Sequence, residues 1–330
     1  MKAAILGNGN ISREHRQGYQ YLKDEGFDLT LQAVCDIRPE RLEENDGAHT
    51  YTSLDEMLAQ EPDLDFIDIC LPTFLHAEYA IKCMKAGYHV LCEKPMALTP
   101  EETQRMLDCA KETGRRLMIA HSSRFCTSSI YIKRFLEEGR FGNPTSVFYV
   151  QADGFPLSTW DNNWFSDGEK SGGCLLDLQA HTIDLIHWYF GLPKAVSVVG
   201  AQRGSFTGYT SASCNYIYPD GLFAHTWCDW SVTGNQHQNR VTRFNFEHGY
   251  LILERGENLK VVSEDGTVEE IAPTMHSSAK RNEIEYFANC LKNNVPFTLC
   301  DPEESAQVIT IMRAQEKSAN QDGAPVYLTR

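Results

Sequence analysis

Residues 2–12 read KAAILGNGNIS. An apolar run that stops at glycine and passes into a polar helical stretch, about 10–25, predicts a first β-strand turning directly into a helix. The turn is Gly7-Asn8-Gly9-Asn10-Ile11-Ser12. Between a strand and a helix, such a loop is where backbone amides and a helix N-terminus hold a pyrophosphate. Ser12 stands at the third glycine position, which governs helix–strand packing and accepts a small residue. The segment reads as a strand and loop, not as a signal peptide.

Outward from this loop the period keeps switching. LTLQAVCD (29–36), DFIDICLP (65–72), YHVLCEKP (88–95) and RLMIAHS (116–122) are strand-like. Between them lie the helical stretches RPERLEEN (38–45), SLDEMLAQ (53–60), LHAEYAIKCMKAG (75–87) and TPEETQRMLDCAKETG (99–114). Ser53 is placed to cap one helix and Gly87 to end the next. Strands alternating with helices predict parallel βαβ units with right-handed crossovers, hence an α/β doubly wound parallel sheet.

From about 123 the texture changes. A helix over 128–138 leads to SVFYVQA (146–152), and an apolar helix over 172–190 follows. Beyond Pro193 come the strand patterns AVSVVGAQ, SASCNYIYP, LFAHTWCDW, RVTRFNFEH, GYLILERG and LKVVSED, punctuated by turns such as Pro219-Asp220-Gly221. Neighbouring strands of this kind predict an α+β domain with an open, mostly antiparallel sheet. Helices return at 280–293 and 302–319.

Composition bounds the function. A chain of 330 residues is too long for one comfortable core and predicts two domains. The 42% hydrophobic and 23% charged content is that of an ordinary globular protein, and no run of about 18 apolar residues suggests a membrane span. A net charge of −15 without a basic stripe argues against nucleic acid as a partner. The 11 cysteines form no C-x-x-C pair, and most sit inside apolar patterns. They are expected as buried free thiols of a cytoplasmic protein.

Three further stretches carry chemistry. Asp36 ends the second strand, where an acid binds the adenosine ribose hydroxyls and repels a 2′-phosphate, favouring NAD over NADP. Arg38, two residues on, keeps NADP open as the partner of such a phosphate. Cys92-Glu93-Lys94-Pro95 ends the fourth strand, and strand carboxyl ends line the ligand crevice of such sheets. Proline restricts the residue before it, so Lys94 is held in one pose. GGCLLDLQAHTID (172–184) places Asp177, His181 and Asp184 on nearly one side of an apolar helix. Burying them costs several kcal/mol, on the order of 2–7, unless they are paired or used. A satisfied polar stripe, a metal site and a catalytic pair all fit that pattern, His187 being displaced around the helix. The segment 153–173 offers Trp160 and Trp164 as aromatic faces for a sugar ring or nicotinamide, and Asn162 and Asn163 as hydrogen-bonding groups. Packing is the alternative use for each tryptophan. Arg124, just past the junction, and His276, in a loop before a helix, are weaker candidates.

GNGNIS (7–12), LPTFLHAEYAIKCMKAGYHVLCEKP (71–95), GGCLLDLQAHTIDLIHW (172–188) and the tail EIEYFANCLKNNVPFTLCDPEESAQVITIMRAQEKSA (283–319) together resemble the glucose–fructose oxidoreductase/inositol dehydrogenase (Gfo/Idh/MocA) family. The resemblance implies an NAD(P)-binding Rossmann domain over 1–122, followed by a substrate-binding and oligomerisation domain over 123–330. It implies cofactor contacts from Gly7, Asn8, Gly9, Asn10, Ile11, Asp36, Arg38, Leu71, Pro72, Thr73, His76, Glu93, Lys94, Pro95 and His121. Glu93 matches the nicotinamide-ribose position, and His121 stands where the family often has asparagine. Lys94 is implied to lie beside the nicotinamide and substrate as a catalytic residue, and Asp177 and His181 match the acid–base positions, with metal expected to play no part. Substrate contacts are expected from Lys94, Arg124, Trp160, Asn163, Trp164, Asp177 and His181.

Hydride removal from an alcohol carbon requires loss of the hydroxyl proton, and an imidazole suits that task near neutral pH. The sequence therefore predicts an NAD(P)-dependent oxidoreductase acting on a secondary hydroxyl or ketone of a sugar, polyol or related derivative. Its partners are expected to be that small molecule and its own copies in a homodimer or homotetramer. Two other classes stay open: an NAD-dependent glycosidase working by transient sugar oxidation, and a non-catalytic nucleotide-binding sensor.

Overall fold

The computed structural model describes residues 1–153, 161–231, 238–272 and 276–329. Its chain divides into two compact units: Met1–Phe125 with Met275–Ala306, and Cys126–Thr274 with Gln307–Arg330. The first unit thus takes in a piece of the tail that the sequence division at 122/123 gives to the second.

The first unit is built on β1 (Lys2–Leu6), β2 (Thr30–Cys35), β3 (His49–Tyr51), β4 (Phe66–Ile69), β5 (His89–Glu93) and β6 (Leu117–Ala120). They form one parallel sheet in the order β3-β2-β1-β4-β5-β6. β4 and β6 are buried along their whole length. That is why their sequences FIDI and LMIA run almost continuously apolar instead of alternating. The helices α1 (Asn10–Asp24), α2 (Leu54–Gln60), α3 (His76–Lys85) and α4 (Pro100–Thr113) connect these strands. Thr99 and Glu102 close a capping box at the start of α4. The stretch 38–45, read as helical, forms a 3₁₀ turn over Pro39–Glu43. The short β3 left no pattern in the sequence.

α5 (Thr127–Glu138) opens the second unit, followed by α6 (Gly168–Ser171) and α7 (Ala180–Phe190). Nine strands form its sheet: β7 (Pro144–Asp153), β8 (Ala195–Ala201), β9 (Ser211–Ile217), β10 (Phe223–Asp229), β11 (Gln238–Phe246), β12 (Gly249–Glu254), β13 (Leu259–Ser263), β14 (Val268–Ile271) and β15 (Val326–Tyr327). The order is β14-β13-β12-β11-β7-β10-β9-β8-β15, and every pair is antiparallel except β7 with β10. The expected fold class is the one observed.

α8 (His276–Lys292) belongs to the first unit, where Phe287 meets Phe66 of β4 edge-on at 4.9 Å between ring centroids. α9 (Pro302–Ala319) follows it. All 11 cysteines are free thiols and all but Cys126 are buried. Among the described residues no helix is long and apolar enough to cross a membrane.

Candidate active site

Gly7 leaves β1 with a φ of +97°, and a Cβ there would lie 2.7 Å from the Cys70 carbonyl oxygen. Only glycine lets the loop pass this close over the end of β4. The loop is then braced three ways. Asn8 donates its backbone N–H to Asp36 Oδ2 at 2.8 Å, and its side-chain amide to the carbonyls of Arg41 and Glu44 at 2.6 and 2.8 Å. Ser12 is buried, its hydroxyl 2.9 Å from Asn8 Oδ1 and 2.7 Å from the Gly9 carbonyl. The serine in the third glycine position therefore locks the loop as well as fitting it.

α1 starts from Gly9, so no side chain caps its first-turn amides, and no acid occupies that turn. α2 and α4, by contrast, are capped by Ser53 and Thr99 and carry acids there. Uncapped amides at the positive end of a helix make an anion site, which is what a dinucleotide pyrophosphate needs. Asp36 lies buried beside this loop and also accepts the Arg38 backbone N–H at 2.9 Å. Arg38 itself is partly exposed, with Nε 3.6 Å from Asp36 Oδ1.

Lys94 stands at the carboxyl end of β5, half-buried, in the same row of strand ends as the glycine loop and Asp36. His76 ties two turns of this row together: Nδ1 lies 2.8 Å from the Pro95 carbonyl and Nε2 2.8 Å from the Leu71 carbonyl. Burial lowers its pKa, against the pull of those two carbonyls. Thr73 is buried with it, while Leu71 and Pro72 are half-buried. His121, past the end of β6, is buried and lies 3.1 Å through Nε2 from Ser305 Oγ. Arg124 is fully buried and donates through Nη1 to the Leu299 carbonyl at 2.8 Å and to Glu304 at 2.7 Å. Both acceptors belong to the tail of its own unit.

In the second unit the expected single helix over 172–190 is two pieces, preceded by a short separate helix. α6 ends at Ser171, a π-helical turn runs over Cys174–Leu178, and α7 begins at Ala180. Gly172 and Gly173 have φ of +74° and +65°, and a Cβ on Gly173 would lie 2.7 Å from the Tyr209 carbonyl oxygen. Cys174 donates its N–H to that carbonyl at 2.9 Å, which starts the turn, and Gln179 N–H donates back to the Cys174 carbonyl at 3.1 Å. The wide turn corrects the helical-face argument, because a 3.6-residue period does not run through 174–178. Burial separates the three polar residues: Asp177 and His181 are half-buried and Asp184 is fully buried. His187 pairs with Gln307 Oε1 at 2.8 Å.

Of the proposed pocket wall, Trp160 lies outside the described residues. Asn163 falls on a 3₁₀ turn over Asp161–Ser166. Trp164 stacks on Phe165 at 3.9 Å, and Phe165 meets Trp230 edge-on.

One cluster escaped the sequence reading. His15 of α1 places Nδ1 2.8 Å from Asp68 of β4 and Nε2 2.8 Å from Glu93 of β5. Lys280 of α8 donates to Glu93 and, at 3.2 Å, to Glu283. All five side chains are buried. An acid inside the apolar run FIDI was the one local signal, since an unpaired carboxylate there is too costly to leave alone. His15, Glu93 and Glu283 bring ligand-type atoms within 4.8 Å of one another. The Lys280 ammonium lies among those oxygens and brings the positive charge a metal would supply.

With this geometry in view, the similarities of the chain are informative. Residues 1–121 match the family described as "Oxidoreductase family, NAD-binding Rossmann fold", and residues 130–252 match the GFO/IDH/MocA C-terminal domain. The chain belongs to the Gfo/Idh/MocA oxidoreductase family. Within that family, scyllo-inositol 2-dehydrogenase (NADP(+)) IolU of Bacillus subtilis is 29% identical over 306 residues, 89% of each chain. D-glucoside 3-dehydrogenase of Escherichia coli is 30% identical over 68% of this chain and 65% of its own. The chain spans only 56% and 65% of the length of two of the curated relatives it matches. A solved levoglucosan dehydrogenase, in complex with NADH and levoglucosan, shares the Gfo/Idh/MocA fold at a TM-score of 0.89 and 20% identity over 100% of both chains. The first unit is therefore the family's NAD-binding Rossmann fold.

Proposed function

We propose that this protein is an NAD(P)-dependent oxidoreductase that moves a hydride between a secondary hydroxyl or ketone of a sugar, polyol or related derivative and the nicotinamide. The observation that carries the reading is the row of strand ends in the first unit. There the uncapped α1 amides, Asp36 and Lys94 line the edge where such sheets bind their ligands. The dehydrogenase names of the relatives support it.

In this reading the domain of residues 1–122 binds the cofactor and that of 123–330 binds substrate. Gly7, Asn8, Gly9, Asn10 and Ile11 meet the pyrophosphate, and Asp36 meets the adenosine ribose, favouring NAD. Leu71, Pro72, Thr73, His76, Glu93, Pro95 and His121 shape the nicotinamide side. A bound nicotinamide supplies the hydride acceptor at C4. His181 takes the proton of the reacting hydroxyl as the C–H hydride leaves, Lys94 offsets the charge on that oxygen, and Asp177 orients the hydroxyl. In the reverse direction His181 returns the proton to the carbonyl oxygen.

A homodimer or homotetramer through the second sheet, in the cytoplasm, completes the proposal. By strand register Phe223, Ile217, Val199 and Tyr327 fall on one face, and all four are exposed. An exposed apolar row of this kind finds cover in a second copy.

The test is reduced-nicotinamide formation across a panel of polyols, aldoses and their derivatives, with NAD and with NADP. Turnover on one chemical group with NAD is expected. Cleavage of a chromogenic glycoside without added cofactor, or nucleotide binding with no turnover anywhere on the panel, would replace the reading with the glycosidase or sensor class.

A further inference from the structure

We propose that Lys280 is a positioning residue for Lys94: from the far end of the chain it fixes the Glu93 carboxylate, and Glu93 fixes the backbone that carries Lys94. The proposal rests on the reading of Lys94 as the lysine beside nicotinamide and substrate. Glu93 links the two lysines because its two oxygens take different partners. Oε1 takes the Lys280 ammonium and, at 2.8 Å, His15 Nε2. Oε2 accepts the backbone N–H of Lys94 at 3.0 Å. Moving Oε1 therefore moves the group that holds Lys94.

The protonation states follow from donors and acceptors. Both His15 nitrogens face carboxylates, which only accept when ionised, so both must donate and the ring is an imidazolium. Lys280 is the second cation. Against these two stand Asp68, Glu93 and Glu283. Glu283 Oε2 is buried with no hydrogen-bond partner among the described residues, which suits a carboxyl that keeps its proton. Asp68 and Glu93 are then the ionised pair, and the buried charges cancel.

The electrostatics agree with that count. Burial and the neighbouring Glu93 push Glu283 up to about 7 against the pull of Lys280. Burial works against ionised Glu93 too, but Lys280 and the His15 hydrogen bond overcome it and hold the carboxyl well below the usual range. Burial likewise disfavours the charge on His15 and on Lys280, and the surrounding carboxylates reverse it, leaving both raised. The other titratable groups facing the cluster do not alter the balance. Tyr19 donates to Asp68 at 3.0 Å, the Cys70 thiol is pushed by burial to about 12, and His76 is held low by burial. The charge of Lys94 adds to the pull that holds Glu93 low.

The test compares the unaltered protein with Lys280→Met, Lys280→Arg, Glu93→Gln and Lys280→Met/Glu93→Gln. NADH affinity is read from tryptophan quenching at pH 6 and pH 8.5, and turnover on the best substrate of the panel is read beside it. Lys280→Met is expected to weaken NADH binding about tenfold and turnover about a hundredfold, with both losses deeper at pH 6 as Glu93 takes up a proton. Lys280→Arg should restore both to within about threefold, and the double variant should be no worse than Glu93→Gln alone. Unchanged affinity in Lys280→Met would overturn the proposal. So would loss of the fold, or an equal loss at both pH values that arginine does not rescue, since either makes Lys280 a purely structural ion. A protein that binds NADH but oxidises nothing on the panel sinks the hydride-transfer reading, while the affinity arm still judges Lys280.

Discussion

Asp36 Oδ2 accepts the backbone N–H of Asn8 at 2.8 Å, so the acid that ends β2 and the loop that ends β1 are one unit. A single carboxylate thus braces the glycine loop from the end of the next strand, the position proposed above for the adenosine ribose contact. Asp36→Ser keeps a short polar side chain and removes the charge that repels a 2′-phosphate. The ratio of kcat/KM with NADP to that with NAD is expected to rise about tenfold or more, as Arg38 meets the phosphate. Steady-state rates with each cofactor decide it, and an unchanged ratio would remove Asp36 from cofactor choice.

Lys94→Ala and His181→Ala separate chemistry from binding. Each should lower turnover by about 10²–10⁴, far more than it weakens NADH binding, which should stay within a few-fold for His181→Ala and fall by about tenfold for Lys94→Ala. Stopped-flow hydride transfer and an equilibrium NADH titration on the same preparations give the two numbers. Equal losses in both would mean that these side chains only hold cofactor.

Gly7→Ala forces a Cβ to within 2.7 Å of the Cys70 carbonyl at a φ of +97°. The loop must shift off β4 or strain its backbone, at an expected cost of about 2 kcal/mol or more. A thermal melt should show the lower stability, and NADH titration should show weakened binding. A variant as stable as the parent, with unchanged affinity, would mean that the loop has room the geometry denies it.

Glu283 gives a pH signature of the fold. Its carboxyl, raised by burial to about 7, holds a proton in the folded state that the unfolded chain releases near pH 4.5. Above that lower value the folded state binds more protons, so this group's stabilising contribution falls as pH rises and is gone above about 7. Glu283→Gln mimics the protonated acid at every pH. The variant should gain on the parent by roughly 1 kcal/mol between pH 6 and pH 8, as read from urea midpoints. A constant difference across that window would show that Glu283 does not titrate there.

The fold was legible because its signals are local. The alternation of apolar runs with helical stretches through 122, the glycine at a strand end and the acid at the next strand end all follow from residues a few positions apart. The cap residue Ser53 was readable for the same reason. The π-turn over Cys174–Leu178 was not, because it is set by the Tyr209 carbonyl reaching Cys174 from another part of the chain. The extended 172–190 helix drawn from periodicity alone had no way to include that distant acceptor.

What the sequence determined by itself is therefore the doubly wound sheet, the antiparallel sheet after it, and the chemically able residues Asp36, Lys94, Asp177 and His181 at defined points of those elements. What only the tertiary structure decided is how buried charge is balanced. His15, Asp68, Glu93, Lys280 and Glu283 are brought together by hydrogen bonds that link residues up to 187 positions apart. No window of sequence contains them all, and none carries a local sign of which charge it meets. Their pairing is set by burial: once water is excluded, every charge must find its opposite, and only the folded chain says which one is near.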